Sequence, residues 1–260
     1  CETAPDESTR VNVEGTRNIA QLAVRIGAPR LVHVSTAYVD NLLAGGPART
    51  VYEGSKFESE RILAAILSGT GIATAIVRPS IVTGDRRYGF TTTFHGIYPF
   101  FHFAAAFAPE LLKTDMVALM RRGGFVKGQV NLVPADHVAG IICALAIRST
   151  FPAKVFNVIA PCDWRIAELA RICGECSGLR ARIAIPSDAT GAIVLPPSLE
   201  QGVTMLERNY AHYFGVTLRL DTKSTETLMK ETGMPIVRNT SDWIRVLFRW
   251  GAYRNWETLA

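Results

Sequence analysis

The chain has 260 residues, 48 % of them hydrophobic and 20 % charged, with a formal net charge of +5. That balance belongs to a globular protein of one large or two modest domains, and it excludes a disordered or collagenous chain. No apolar run reaches the roughly 18 residues of a membrane-spanning helix. The mild basicity lacks the aromatic interleaving of a nucleic-acid surface.

Five cysteines (Cys1, Cys143, Cys162, Cys173, Cys176) are too few and too irregular for a disulfide framework. Cys173-Gly-Glu-Cys176 has C-x-x-C spacing, but no second pair completes a zinc site, and it closes the apolar run I-A-E-L-A-R-I, so the end of a helix is its expected home. No metal is expected. With no signal peptide visible, the reduced cytoplasm is the expected compartment. The basic clusters, Arg86-Arg87 and Arg121-Arg122 with Lys127, read as solvated surface, or alternatively as a dock for a phosphate-bearing ligand or an acidic carrier protein.

Taken in order, residues 6–26 read as a helix capped by Asp6, Ser8 or Thr9, with Val13, Ile19, Leu22, Ala23 and Ile26 as its inner stripe. Residues 30–39, R-L-V-H-V-S-T-A-Y-V, are a β-branched run with little alternation, the pattern of a strand buried on both faces. A Gly/Pro loop then leads to a helix over 51–67, followed by a second buried strand over 71–82. Alternating helix and strand with short joins predicts an α/β fold, a doubly wound parallel sheet. The regularity lapses from Gly84 to about residue 130, across the aromatic stretch F-H-G-I-Y-P-F-F-H-F-A-A-A-F, which is expected to form a buried helix or substrate lid. His95 and His102 in it lack a carboxylate partner and read as ordinary lid positions. N-L-V-P is a short strand, Asp136 is the expected cap of a helix over 137–147, and 154–159 is a further strand. The rest is mainly helical, ending in an amphipathic segment with Trp243, Ile244, Leu247 and Phe248 on one face.

One stretch carries chemistry. In V-Y-E-G-S-K, Tyr52 and Lys56 lie four apart and share a helical face. A phenol with a pKa of about 10 is a poor acid-base group at neutral pH, and a nearby ammonium favours its ionised form. The pair can exchange a proton with a carbonyl or alcohol oxygen. Alone the spacing is commonplace. Here the strand before it ends in Ser35-Thr36 and the strand after it in R-P-S-I-V-T-G, both at the carboxyl edge where doubly wound sheets bind ligands. Gly15, in N-V-E-G-T, is expected to allow close packing of the first helix on the sheet.

Together N-V-E-G-T-R-N, V-H-V-S-T-A-Y-V, Y-E-G-S-K-F-E-S-E and V-R-P-S-I-V-T-G-D resemble the extended short-chain dehydrogenase/reductase superfamily. Within it, S-T-A-Y-V and R-P-S-I-V-T-G-D resemble the fatty acyl-CoA reductase and thioester reductase branch; the likeness covers residues 10–160. The resemblance implies a Rossmann fold and an oxidoreductase using NAD or NADP. Tyr52 would be the acid-base residue, Lys56 would hold the nicotinamide ribose and tune Tyr52, and Thr36, with Ser35 beside it, would bond the substrate oxygen. Asn12 matches an asparagine with either a structural or a proton-relay role. Pro79, Ser80 and Ile81 would border the nicotinamide carboxamide, and Glu60 would pack or form an ion pair. A substrate presented as an acyl thioester of CoA or a carrier protein follows, with Arg86-Arg87 facing its phosphate, and a homodimer through the helices at 6–26 and 51–67.

The family's G-x-x-G-x-x-G fingerprint is absent: neither Gly45-Gly46 nor Gly123-Gly124 follows a strand and opens a helix. The chain starts with Cys1 and its first methionine is Met116, so it is expected to begin inside a longer reading frame, to leave the strand at 30–36 with a free edge, and to bind cofactor poorly alone. Residues 1–83 and 131–160 are expected to form the C-terminal part of the dinucleotide-binding Rossmann domain, and 84–130 with 161–260 the substrate-binding and lid region. The leading reading is reduction of an acyl thioester to aldehyde or alcohol. The alternatives are a sugar-nucleotide epimerase/dehydratase or hydroxysteroid-type dehydrogenase on the same scaffold, and a non-catalytic nucleotide- or partner-binding member.

Overall fold

A computed structural model describes residues 5–107, 128–151, 154–178, 197–210, 213 and 216–257. Arg121, Arg122, Lys127, Met116 and Gly123-Gly124 lie outside the described residues, as does the side chain of Asp6. Three parallel strands form the central sheet, β1 (Arg30–Val34), β2 (Ala73–Pro79) and β6 (Val155–Val158), in the order β1-β2-β6. Val34 lies beside Val77, and Val77 beside Phe156. Side chains alternate between the two faces as the pleat requires. Leu31 and Ile76 pack with Ala20, Leu63 and Leu67 on one face, while Val32, Ala75 and Val77 pack with Ile141, Leu145 and Leu228 on the other.

The first face is covered by α2 (Gly15–Arg25) and α4 (Val51–Leu67). Thr50 starts α4 because its hydroxyl accepts the Glu53 N–H at 3.2 Å, a cap of the usual kind. The second face is covered by α6 (Ala135–Ala146) and α9 (Lys223–Thr232). α9 therefore belongs to the sheet layer, although the region beyond residue 160 reads in sequence as lid. Away from the sheet, α5 (Tyr98–Ala106), α7 (Ile166–Cys176), α8 (Pro197–Tyr210) and α10 (Ser241–Tyr253) enclose a second core containing Phe101, Leu169, Leu199, Trp243, Ile244 and Leu247. The aromatic stretch is thus a buried helix, and the apolar face of α10 is buried as its pattern implied. Two short ladders complete the strands: β3 (Ile81–Thr83) pairs in parallel with β5 (Leu132–Pro134), and β4 (Gln129–Val130) antiparallel with β7 (Trp164–Arg165).

Several expectations are corrected. The run 30–39 is extended only to Val34, because Thr36 accepts the Tyr38 N–H and folds Ala37–Val39 into a 3-10 turn. The run 71–82 is two strands, since the chain changes partner at Ser80: Ser80 N–H bonds Val158, but Ile81 N–H bonds Asn131. The helix at 6–26 is a single turn, α1 (Pro5–Ser8), then a π-helical segment (Thr9–Glu14), then α2; Ser8 makes no capping bond. Its inner stripe holds at Ala23, which is buried as Ala20 is, but not at Ile19 and Ile26, 57 % and 67 % exposed, nor at Leu22, which is also exposed. Gly15 meets no sheet atom; a Cβ there would come near only the carbonyl of Arg10. Pro134, not Asp136, precedes α6, and the Asp136 carboxylate accepts Arg86 Nε at 2.7 Å and Arg86 N–H at 3.1 Å. Among the described residues β1 pairs only with β2, leaving the expected free edge.

Glu60 on α4 accepts both Nε and Nη2 of Arg78 on β2, at 2.9 and 2.5 Å, and both residues are buried. The fork-on-carboxylate geometry satisfies two charges that burial would otherwise strand. Glu60→Ala is expected to cost about 3–5 kcal/mol in urea unfolding, because it leaves a buried guanidinium alone. Replacing both residues by methionine is expected to restore most of that loss; a double variant as unstable as the single one contradicts this account.

Candidate active site at the carboxyl edge of the sheet

Lys56 Nζ donates to the carbonyl of Val34, the last residue of β1, at 3.1 Å and lies 6.0 Å from the centre of the Tyr52 ring. The face of α4 that carries both residues is thereby turned toward the carboxyl end of β1, where Ser35 and Thr36 follow at once. Thr36 Oγ1 accepts the Tyr38 N–H at 3.3 Å, so its own O–H remains to be donated. Ser35 Oγ and Ser80 Oγ, at the ends of the neighbouring strands β1 and β2, are buried without a partner among the described residues. Pro79 stands beside Ser80 at the end of β2, and Ile81 opens β3.

Asn12 sits in the π-helical turn and donates to Ser55 Oγ at 2.9 Å, and Ser55 Oγ donates to the Tyr52 carbonyl at 2.8 Å. π-turns often mark functional sites, where they re-aim a side chain. Here the turn lets Asn12 tether the first turn of α4, a structural contact with the helix that bears Tyr52.

Three groups that sequence reasoning missed frame the site. Arg49 donates to both carboxylate oxygens of Asp40 at 2.8 and 3.1 Å and to the Tyr38 carbonyl at 3.2 Å, while its backbone N–H bonds Glu53 Oε2 at 2.9 Å. This clamp fixes the turn after Thr36 to the head of α4. Glu53, next to Tyr52, is wholly buried, and that burial pushes its carboxyl upward. Tyr213 lies within hydrogen-bonding distance of Thr50 Oγ1 at 3.4 Å and packs edge-on against Tyr38, centroids 5.0 Å apart. No motif announces these residues. Arg49 sits in a loop, Asp40 opens a single helical turn (Asp40–Leu43), and Tyr213 is 161 positions from Tyr52.

The electrostatics differ from the sequence expectation. Burial, then the neighbouring Tyr213 and Glu53, push the Tyr52 phenol up to about 12. The Lys56 ammonium, spent on Val34 and itself lowered by burial, does not bring it down in this arrangement. Tyr52 is therefore a phenol throughout the neutral range. Beyond it, at the end of β6, a cavity of about 810 Å3 opens between Val158, Ile159, Leu218, Met229 and Met234, with His137 in its wall.

The remaining candidates carry no chemistry. Cys173 and Cys176 end α7, and burial holds the Cys173 thiol far above its usual range. His102 stacks on Trp256 at 5.6 Å, and no metal-binding cluster occurs among the described residues. Arg86 is occupied by Asp136, while the Arg87 guanidinium lies over the Tyr88 ring at 5.0 Å.

A parallel sheet covered by helices, in a chain that also matches a family model, is that of an extended short-chain dehydrogenase/reductase. A model of NAD-binding domains described as male sterility protein matches residues 2–46 and 44–142, more than half of the chain, and the chain belongs to that family. None of the curated proteins matches it. The fold is similar to that of the Bordetella bronchiseptica enzyme WbmG in complex with NAD and UDP, at a TM-score of 0.59 and 21 % identity over 100 % of this chain and 73 % of that one. It is also similar to the reductase domain of the aureusimine biosynthetic cluster (TM-score 0.62, 22 % identity, 93 % of this chain and 65 % of that one). A thiolation-reductase di-domain from an archaeal non-ribosomal peptide synthetase matches at a TM-score of 0.63 with 17 % identity, over 98 % of this chain and 55 % of that one.

One neighbour of the site titrates in an accessible range. His33 on β1 lies 3.1 Å from Ser59 Oγ, and Ser59 in turn donates to the Lys56 carbonyl, so His33 Nε2 carries the proton of a neutral ring. Burial, reinforced by Lys56, lowers its pKa from 6.5 to about 4. A depressed folded-state value means that the stability this residue contributes is present above pH 6.5 and is lost as the pH falls through about 4. Urea unfolding followed from pH 7 to 4 should show that decline, and His33→Gln should flatten it; equal slopes would refute the assignment.

Proposed function

We propose that the protein reduces acyl thioesters with NADH or NADPH, giving an aldehyde or, after a second round, an alcohol. The observation that carries this reading is the placement of Tyr52 and Lys56 on one face of α4, drawn by the Lys56–Val34 bond to the strand end that bears Thr36. The residues present fit the nicotinamide-ribose end of the cofactor: two buried serine hydroxyls, Ser35 and Ser80, lack partners among the described residues, and Lys56 stands beside them as a donor to ribose hydroxyls. When bound, the reduced nicotinamide supplies the reducing equivalents.

The protein's own groups handle the oxygen. Thr36, already anchored as an acceptor, donates its O–H to the thioester carbonyl and orients it. Tyr52, held as a phenol, donates its proton to the same oxygen as negative charge develops there. Lys56 balances the phenolate left behind, and Asn12, through Ser55, steadies the helix turn on which Tyr52 sits. In this reading residues 1–83 and 131–160 serve the cofactor, and 84–130 and 161–260 the substrate, with α9 as the exception already noted. The 810 Å3 cavity mixes apolar side chains (Val158, Ile159, Leu218, Met229) with polar ones (Asn131, Asn157, Asp163, Glu226), so the thioester reading is supported by the likeness to the reductase domains, and the epimerase/dehydratase reading by the likeness to WbmG.

Tyr52→Phe is expected to lower kcat/KM for acyl-thioester-dependent NADPH oxidation by about 10²–10⁴-fold, the usual contribution of a positioned acid. Undiminished turnover in that variant rejects the mechanism. Conversion of a UDP-sugar, with no activity on any thioester, transfers the assignment to the alternative.

A further inference from the structure

The 810 Å3 cavity has walls of its own. It is lined by the last residues of β6, by residues 217–220, and by one face of α9 that carries Thr225, Glu226, Met229 and Lys230. None of Ser35, Thr36, Tyr52, Lys56 and Ser80 is in its lining. An occupant there leaves the acid-base groups uncovered.

Its polar groups lie at different depths. Asn131, His137 and Asn157 are buried, Asp163 is half-buried, and Glu226 and Lys230 are exposed at the mouth. Asn131 is fully engaged: its Nδ2 donates to the Ala160 carbonyl at 3.0 Å and to Asp163 Oδ1 at 2.7 Å, and its Oδ1 accepts the Ala160 N–H at 2.8 Å. Asn157 is not. Its Nδ2 donates to the Asp221 carbonyl at 2.8 Å, which fixes the way the amide points and leaves Oδ1 as an acceptor. That oxygen is buried and has no donor among the described residues. A buried acceptor without a donor is costly, and one in a cavity wall is completed when a ligand supplies the donor.

Two further acceptors stand open beside it. Asp163 spends only Oδ1 on Asn131, and its second oxygen is bonded to nothing among the described residues. The ring of His137 makes no hydrogen bond among the described residues either. Burial, with Arg86 nearby, lowers its pKa, so at neutral pH one ring nitrogen keeps a free lone pair. The charged lining is two carboxylates, Asp163 and Glu226, against one ammonium, Lys230. Open acceptors with an excess of negative charge suit a cationic N–H donor, which makes the stronger, charge-assisted bonds. The remaining wall is apolar and includes Leu218, Met229 and Met234. Thioether side chains adapt to a ligand's shape and make favourable contacts with aromatic rings.

We propose that this cavity is a second ligand site that takes an arylalkylamine, with the ammonium on Asp163 and Asn157 Oδ1 and the ring among Leu218, Met229 and Met234. The proposal goes beyond the thioester reading and does not depend on it.

The probes are tryptamine, tryptophol and indole-3-propionate, which share a ring and differ in the end group, titrated into the 260-residue chain by calorimetry at pH 7. Tryptamine is expected to bind at least tenfold more tightly than tryptophol, and indole-3-propionate more weakly than both. Asp163→Asn keeps an oxygen for Asn131 and removes the charge; it should weaken tryptamine at least tenfold and leave tryptophol within twofold. Thr217→Trp, at an exposed position of the lining, should abolish binding of the amine by filling the mouth. Equal affinities for amine and alcohol overturn the ligand class, as does tryptamine binding unchanged in Asp163→Asn. No saturable binding of any probe to the wild-type chain overturns the site itself, and so does tryptamine binding that survives Thr217→Trp.

Discussion

The head of helix α4 meets the sheet through a polar stripe, and only its far end through an oily one. Tyr52, Lys56 and Glu60 recur every four residues along one face, and two of the three are tied down: Lys56 to the end of β1 and Glu60 to Arg78 on β2. Two fixed points on a rigid rod determine the direction of the third. Tyr52, one turn beyond Lys56, is thereby carried to the carboxyl edge of the strands, and the apolar contacts of Leu63 and Leu67 hold the far end of the helix down. Burying charge in this way is costly unless every charged atom is satisfied, which the two-pronged Arg78–Glu60 contact achieves.

The head of the helix is governed by another device. Arg49 gathers the Tyr38 carbonyl and Asp40 around its guanidinium and bonds Glu53 through its backbone N–H, and so makes the turn after Thr36 and the start of α4 a single unit. A planar fork with several donors can do this; the point charge of a lysine cannot. The same crowding sets the chemistry. Tyr52 is surrounded by a second phenol and a buried carboxyl, both unfavourable to a phenolate, so the resting form of the residue is a proton donor. That suits a reductive direction, in which oxygen gains a proton, better than an oxidative one.

Much of this was legible in the chain. The β-branched runs without alternation gave away strands covered on both faces, and the helix over 51–67 followed from the Gly/Pro loop before it and the apolar period within it. The spacing of Tyr52, Lys56 and Glu60 identified the polar face. What could not be read was set by contacts distant in sequence. The partner change at Ser80 depends on Asn131, and on α2 it is Ala20 that packs against Leu63 and Leu67 of α4 while Ile19 is exposed. Arg49 and Tyr213 belong to loops and Asp40 to a single helical turn, where spacing carries no period. The lowered phenol pKa expected from Lys56 failed because burial of the Tyr52 ring, with Tyr213 and Glu53 beside it, pushes the phenol up, and none of this is visible to a helical wheel.

The π-helical turn at Thr9–Glu14 fits one more residue into its span than an α-helical turn would, and Asn12 owes its direction to that surplus. Remove a single residue anywhere in the turn and the helix relaxes to ordinary pitch, swinging position 12 by about a quarter of a revolution away from Ser55. A one-residue gap at this point in a homologue is therefore a chemical event, not a silent length polymorphism, and it should coincide with loss of a hydroxyl at position 55.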